Sequence, residues 1–254
     1  MTTPIYEARD MVRTYGSVRA LEGANFDVYP GEVSAMIGDN GAGKSTLVRI
    51  LSGADKANSG QILFNGEPIT LENPTDARIR GIETVFQDLA LANHLNPIQN
   101  MYLGRELMKP GILGSLGFMQ RSEMRIQGKN AFSALGATVR DFSGPVSGMS
   151  GGQRQAIAVA RAAAWASDVI FLDEPTAALG VVQTKGVMDL IRRIRDKGIA
   201  VVLISHSMPH VLDVADRVHV LRHGKRVAVM EAKNTNVEEL VGAMTGALDG
   251  KEAA

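Results

Sequence analysis

The segment Gly38-Asp39-Asn40-Gly41-Ala42-Gly43-Lys44-Ser45, with Thr46 behind it, places a lysine and a hydroxyl directly after a run of glycines. Glycines at this spacing let successive backbone N–H groups turn inward on a phosphate. The start of a helix adds partial positive charge, Lys44 adds a full one, and Ser45 can hold magnesium. Context decides whether such a loop is more than a chance glycine cluster. Here the apolar run from Glu32 to Ile37 precedes it, and Leu47, Ile50 and Leu51 follow at helical spacing, so strand, loop and helix are predicted in the required order.

Two further groups of residues have chemical potential. Val169-Ile170-Phe171-Leu172-Asp173-Glu174 is an apolar strand ending in two carboxylates, at the edge where buried strands of α/β sheets deliver functional groups. Alone, the pair reads as a solvated acidic turn. Beside a phosphate loop, Asp173 is placed to bind magnesium through water and Glu174 to act as general base toward an attacking water. Ser150-Gly151-Gly152-Gln153 leads into an alanine-rich helix over Ala156–Ala166. Ser150 suits the N-cap, and the two glycines leave backbone donors open, so the turn reads either as an ordinary capped helix or as a second anion site.

The elements that must carry these groups follow from pattern. Residues up to about 70 are strand-rich, with Val18–Tyr29, Glu32–Ile37 and Gln61–Phe64, the last running into an Asn65-Gly66 turn suited to a hairpin. They are expected to form one antiparallel layer interrupted by the helix of Gly43–Ser52. Between Asp88 and Leu135 shorter helical pieces are separated by Asn96-Pro97 and Lys109-Pro110-Gly111, which predicts a helical subdomain. From Val169 strand and helix alternate: Val169–Leu172, a helix marked by Val187, Leu190, Ile191 and Ile194, then Ile199–Ile204. Continuous apolar strands with crossover helices mean a parallel sheet covered on both faces. Short strands at Val218–Leu221 and Arg226–Met230 and a helix near Val237–Met244 close the chain.

Composition narrows the function. The 254 residues carry 27 Lys plus Arg against 27 Asp plus Glu, which disfavours nucleic acid as a partner. The absence of cysteine removes disulfides, thiolate metal sites and cysteine nucleophiles, and agrees with a reducing compartment. No apolar stretch approaches the roughly 20 residues of a membrane span, and Met1–Asp10 has no signal-peptide profile, so the chain is expected in the cytoplasm. His94, His210, His219 and His223 match no metal-ligand spacing.

The order phosphate loop, then Met149-Ser150-Gly151-Gly152-Gln153, then Leu172-Asp173-Glu174-Pro175-Thr176 resembles the ATP-binding subunit of ABC transporters, over nearly the whole chain. The resemblance implies a single α/β domain of the P-loop NTPase class over 1–254. Its parts would be a RecA-like parallel-sheet core, an antiparallel β layer and an α-helical subdomain at about 88–165. It implies ATP and Mg²⁺ as ligands, with Gly38 to Thr46 cradling the phosphates and Ser45, Gln87 and Asp173 around the metal. Tyr15 would stack on adenine, although a strand-edge aromatic serves packing equally well. Gln87 would sense magnesium and the attacking water, and His206 would face the γ-phosphate. Ser150–Gln153 would close over ATP held by a second subunit, in a head-to-tail homodimer.

Finer resemblance, carried by Tyr29-Pro30-Gly31-Glu32, Glu174-Pro175-Thr176-Ala177-Ala178-Leu179-Gly180 and Ser205-His206-Ser207-Met208-Pro209-His210, points to monosaccharide importers of the ribose, xylose and fructose kind, the fructose type above all. It implies integral-membrane permease partners, a periplasmic or extracellular sugar-binding protein, and a place on the inner face of the cell membrane. The wider family usually reads Ser-Ala-Leu-Asp where this chain has Ala177-Ala178-Leu179-Gly180, so a carboxylate linking the two ATP sites is missing. Rival readings are a soluble ABC-type ATPase acting on ribosomes or DNA, an exporter subunit and a small-molecule P-loop kinase.

Overall fold

The computed structural model describes residues 3–137, 139 and 141–247; positions 1 and 2 of the segment weighed as a leader lie outside them. The chain opens with an antiparallel ribbon of β1 (Tyr6–Tyr15) and β2 (Val18–Val28), whose register slips between Ala8 and Met11, where Asp10 takes a left-handed φ of 50°. That bulge breaks the alternation of β1, and for this reason the strand has no clean signature in the sequence.

The next strand, β3 (Val33–Ile37), departs from the sequence-based expectation. It does not join the antiparallel layer but lies inside a second sheet, with all five residues buried. A strand covered on both faces reads as a continuous run of small and apolar residues, here Val-Ser-Ala-Met-Ile, and this pattern assigns it to the parallel sheet. The phosphate loop follows, then α1 (Lys44–Leu51). The antiparallel layer resumes with β4 (Ser59–Phe64) and β5 (Glu67–Ile69), joined by Asn65 at φ 52° and Gly66 at φ 80°, the two left-handed residues of the predicted tight turn. Its strand order is β2-β1-β4-β5.

After α2 (Pro74–Ile79) and β6 (Ile82–Val85) the helical region contains α3 (Pro97–Tyr102), α4 (Ile112–Ser115), α5 (Arg121–Ala134) and α6 (Gly151–Trp165). Then β7 (Val169–Asp173), α7 (Val181–Asp196), β8 (Ala200–Ile204), α8 (Met208–Val214), β9 (Arg217–Arg222), β10 (Lys225–Glu231) and α9 (Val237–Thr245) complete the chain. The second sheet has the order β10-β9-β3-β8-β7-β6, parallel except for the β10–β9 pair.

Packing fuses these parts. One apolar cluster runs from Phe132 of α5 through Ile157 of α6 to Ile170 of β7 and Ile191 of α7, so the helical region shares its core with the parallel sheet. The antiparallel layer is tied in by Tyr6, whose ring meets Phe64 and Phe171 edge-on and whose hydroxyl donates to the Leu51 carbonyl at 2.7 Å. Between β2 and β9, buried His219 packs against Phe26, and burial pushes its pKa down to about 3, which keeps it neutral. It is a core residue.

Candidate active site

Register brings the chemistry to one edge. Met36 of β3 pairs with Ile204 of β8, Ile204 with Asp173 of β7, and Leu172 of β7 with Val85 of β6. The carboxyl ends of four parallel strands are therefore level. They deliver the phosphate loop, Ser205-His206, Asp173-Glu174 and Gln87 to the same side, as open parallel sheets do.

The residues predicted from sequence meet there. Tyr15, Asn40–Thr46, Gln87, Asp173, Glu174 and His206 line one cavity of about 390 Å³. Gly38 and Asp39 contribute from the loop's root, where their carbonyls accept hydrogen bonds from the Lys44 ammonium at 2.6 and 3.0 Å. Two glycines of the loop are sterically required. A Cβ on Gly38 would strike the Leu221 carbonyl, and one on Gly43 would lie 2.6 Å from the Ala20 carbonyl, with φ of 151° and 102° at the two positions. Gly43 is also the N-cap of α1 and offers no side-chain bond, so the N–H groups of the first helical turn, at Lys44, Ser45 and Thr46, have no intrahelical partner.

The charges are set against one another. Lys44 is only 7% exposed, and burial lowers its pKa against the opposing pull of Glu174, Asp39 and Asp173. Burial raises the pKa of Asp173, opposed by Lys44 and His206. It also raises that of Glu174, where Asp173 adds to the effect and His206 and Lys44 oppose it. At both carboxylates the effect of burial outweighs the positive charge nearby. His206 Nε2 stands 3.2 Å from Glu174 Oε1, yet that oxygen is buried without a hydrogen bond of acceptable geometry, so the pair is a close contact rather than a formed bond. Glu174 itself has φ 50°, a left-handed conformation held by its N–H on the Ile204 carbonyl at 3.0 Å. The turn aims Glu174 differently from Asp173 at the end of the same strand.

Tyr15 stands at the cavity's other wall, 42% exposed. Its hydroxyl donates to Asp55, and the Arg13 guanidinium lies 4.5 Å from its ring centroid while also pairing with Asp55 at 2.7 Å. Arg13 and Asp55 fix the ring in place. Sequence reasoning missed Asp55, which is 40 residues from Tyr15 and belongs to no motif.

Ser150–Gln153 are absent from the lining of this cavity. They form a reciprocal cap on α6: Ser150 Oγ accepts from the Gln153 N–H at 3.3 Å, and Gln153 Oε1 accepts from the Ser150 N–H at 3.0 Å. Gly152 is required because Gln183 of α7 occupies the space of its missing side chain, whereas a Cβ on Gly151 would meet nothing within 4 Å.

Comparison with known proteins shows the family. The sequence profile described as ABC transporter matches residues 21–177, more than half of the chain. The chain belongs to the ABC transporter family. Among curated members of the family it is 49% identical to the fructose import ATP-binding protein FrcA of Rhizobium meliloti, over 96% of this chain and 95% of that one. It is 40% identical to the xylose/arabinose import ATP-binding protein XylG of Sulfolobus acidocaldarius, over 97% and 96%. It is also 40% identical to the ribose import ATP-binding protein RbsA 2 of Escherichia coli O157:H7, matching 96% of this chain but 47% of that longer protein. Solved cassettes of ABC transporters share the fold. One in its ADP conformation superposes with a TM-score of 0.77 at 23% identity, covering 98% of this chain and 100% of that one. The cbiO1 cassette of Clostridium perfringens gives 0.76 at 28% identity, covering 94% and 92%.

Proposed function

We propose that this chain is the ATP-binding and ATP-hydrolysing subunit of a monosaccharide importer. The observation that carries the chemistry is the convergence of Lys44, Asp173, Glu174, His206 and the open N-terminus of α1 on one cavity. The triphosphate lies along the loop, its oxygens accepting from the N–H groups at the start of α1. Lys44 leaves the carbonyls of Gly38 and Asp39 to pair with it. Tyr15, held by Arg13 and Asp55, offers a ring face to the base. Glu174 accepts the proton of a water attacking the γ-phosphorus in line with the bond to the β–γ bridging oxygen, and that bond breaks to leave ADP and phosphate. A carboxylate raised above its ordinary pKa is a stronger base than a solvated one. His206, beside Glu174, donates to the phosphate oxygens, and Gln87 orients the water.

Magnesium fits the same cavity. The Ser45 hydroxyl, the Asp173 carboxylate and the Gln87 amide are hard oxygen donors on its wall, and at the half-buried Asp173 and Glu174 burial outweighs the positive charge of Lys44 and His206, which leaves room for a cation. When bound, the ion neutralises charge on the β- and γ-phosphate oxygens.

The working unit is a homodimer in which the Ser150–Gln153 turn of each copy closes on ATP held by the other. Gly151 supports this reading. It is the first residue of α6, and a Cβ there would meet nothing within 4 Å among the described residues, so its missing side chain leaves the helix end open to a group approaching from outside. The Ser150 hydroxyl accepts from Gln153 and still has its proton to donate to a phosphate. Gly180 caps α7 without a side-chain bond, so no carboxylate at that position links the two sites.

Fructose, xylose/arabinose and ribose import relatives support a monosaccharide as cargo. No helix among the described residues is long and apolar enough to cross a membrane; the chain sits on the inner face of the membrane, and integral-membrane permease subunits supply the pathway. A sugar-binding protein delivers the cargo from the other side. The test is purification from membranes of the source cell. Recovery of a permease, with ATPase activity stimulated by sugar and its binding protein, supports the proposal. Recovery with ribosomes or DNA, or ATPase indifferent to every monosaccharide, overturns it.

A further inference from the structure

Arg161 lies on α6, three turns beyond the Ser150 cap, and its guanidinium reaches out of the helix. One nitrogen donates to the Ala90 carbonyl at 2.9 Å and another to the Leu89 carbonyl at 3.0 Å. These carbonyls follow Gln87 by two and three residues, in the loop that carries Gln87 to the cavity. Ala90 has φ 47°, a left-handed conformation that a residue with a side chain keeps only where its surroundings impose it. Burial works against the Arg161 charge, as do Arg78 and Arg105 nearby, and Glu83 is the group that supports it. A cation held against such opposition, with a planar fork spanning two consecutive carbonyls, is fitted to this loop and not to solvent.

The far end of the loop is fastened separately. Buried Asn100 accepts from the Ala92 N–H at 2.8 Å and donates to the carbonyls of Ala92, Leu95 and Asn96. Leu95 and Asn93 in turn accept from the N–H groups of Val146 and Ser147, just before Ser150. Leu89 and Leu91 lean on the apolar core, and among the described residues the long-range hydrogen bonds to the segment nearest Gln87 come from Arg161.

We propose that Arg161 is a positioning residue for hydrolysis: its fork fastens the Gln87 loop to the helix of the Ser150 turn, so that Gln87 is held in the cavity and travels with that helix. The inference rests on the role given to Gln87 above, and the test separates the two. Because the chain has no cysteine, Gln87→Cys provides a single attachment point for a nitroxide label. With Arg161 present the label is immobilised. Arg161→Gln releases it, and Arg161→Lys, which keeps the charge and loses the fork, gives an intermediate spectrum. An unchanged spectrum in Arg161→Gln, with the helix content intact by circular dichroism, overturns the proposal.

With Gln87 in place, Arg161→Gln lowers kcat about 10- to 100-fold while KM and nucleotide affinity stay within about twofold. In a Gln87→Ala background it lowers kcat no further. Equal losses in both backgrounds, or a loss confined to affinity, count against Arg161 acting through Gln87. Wild-type turnover by Gln87→Ala alone sinks the role of Gln87 while leaving the label to decide the tether.

Discussion

The glycine-rich starts of α1 and α6 are built in opposite ways. At α1 the N-cap is a left-handed Gly43 with no side chain, and a buried lysine curls over its own loop. At α6 the N-cap is Ser150, locked with Gln153 in a reciprocal cap. The first end leaves its donors open, and neighbouring backbone leaves no room for a side chain at Gly38 or Gly43. The second satisfies part of its own demand and stands outside the cavity. The first therefore suits an anion that must be gripped within one chain. The second suits one that arrives already held elsewhere, so that the helix end is stable while it waits.

Changes at the two ends should have different signatures. Largest is Lys44→Ala, which removes the only full positive charge of the loop and should lower ATP affinity about 100-fold or more and abolish hydrolysis, read by fluorescent-nucleotide binding and phosphate release. Normal turnover would break the assignment of α1 as the gripping end. Next, Glu174→Gln should bind ATP and hydrolyse it about 100- to 10,000-fold more slowly. It should accumulate as an ATP-dependent dimer on a sizing column.

Its pH profile sharpens the point. Because burial raises the Glu174 pKa, the wild-type rate should fall with acidification at a pH above the ordinary carboxylate value of about 4.5, where the base takes up its proton. The variant should lack that limb.

Ser150→Arg should leave ATP affinity of the single chain within about threefold while preventing the dimer, because it touches only the waiting end. Dimerisation as in the parent would mean that this end never meets a nucleotide. Smallest is Gly151→Ala. It should leave thermal stability within about 0.5 kcal/mol of the parent, because the position is the first of the helix, and still weaken ATP-dependent dimerisation. A variant fully able to dimerise would show Gly151 to be incidental.

The cavity was readable in the sequence because each of its parts is local. The loop is one octapeptide, the carboxylates end one apolar run, and His206 ends another. The strands around them were less so. Glu32–Ile37 falls among antiparallel strands in the chain, and its continuous small and apolar run, the mark of a strand covered on both faces, is too short to stand out from theirs. β1 was obscured by its bulge at Asp10, and β6 by its length and by Glu83 within it. Asp55 behind Tyr15 and Arg161 behind Gln87 carry no signature, since each works through partners 40 or more residues away.

The sequence by itself determined the chemical groups, their order and the strand or helix end on which each sits, because glycine geometry, apolar periodicity and carboxylate placement act over a few neighbouring residues. Tertiary structure decided which strand ends are level, how burial sets Lys44 against Asp173 and Glu174, and that Ser150–Gln153 stands outside the cavity. Those outcomes depend on register and packing between segments far apart in the chain, which no local pattern encodes.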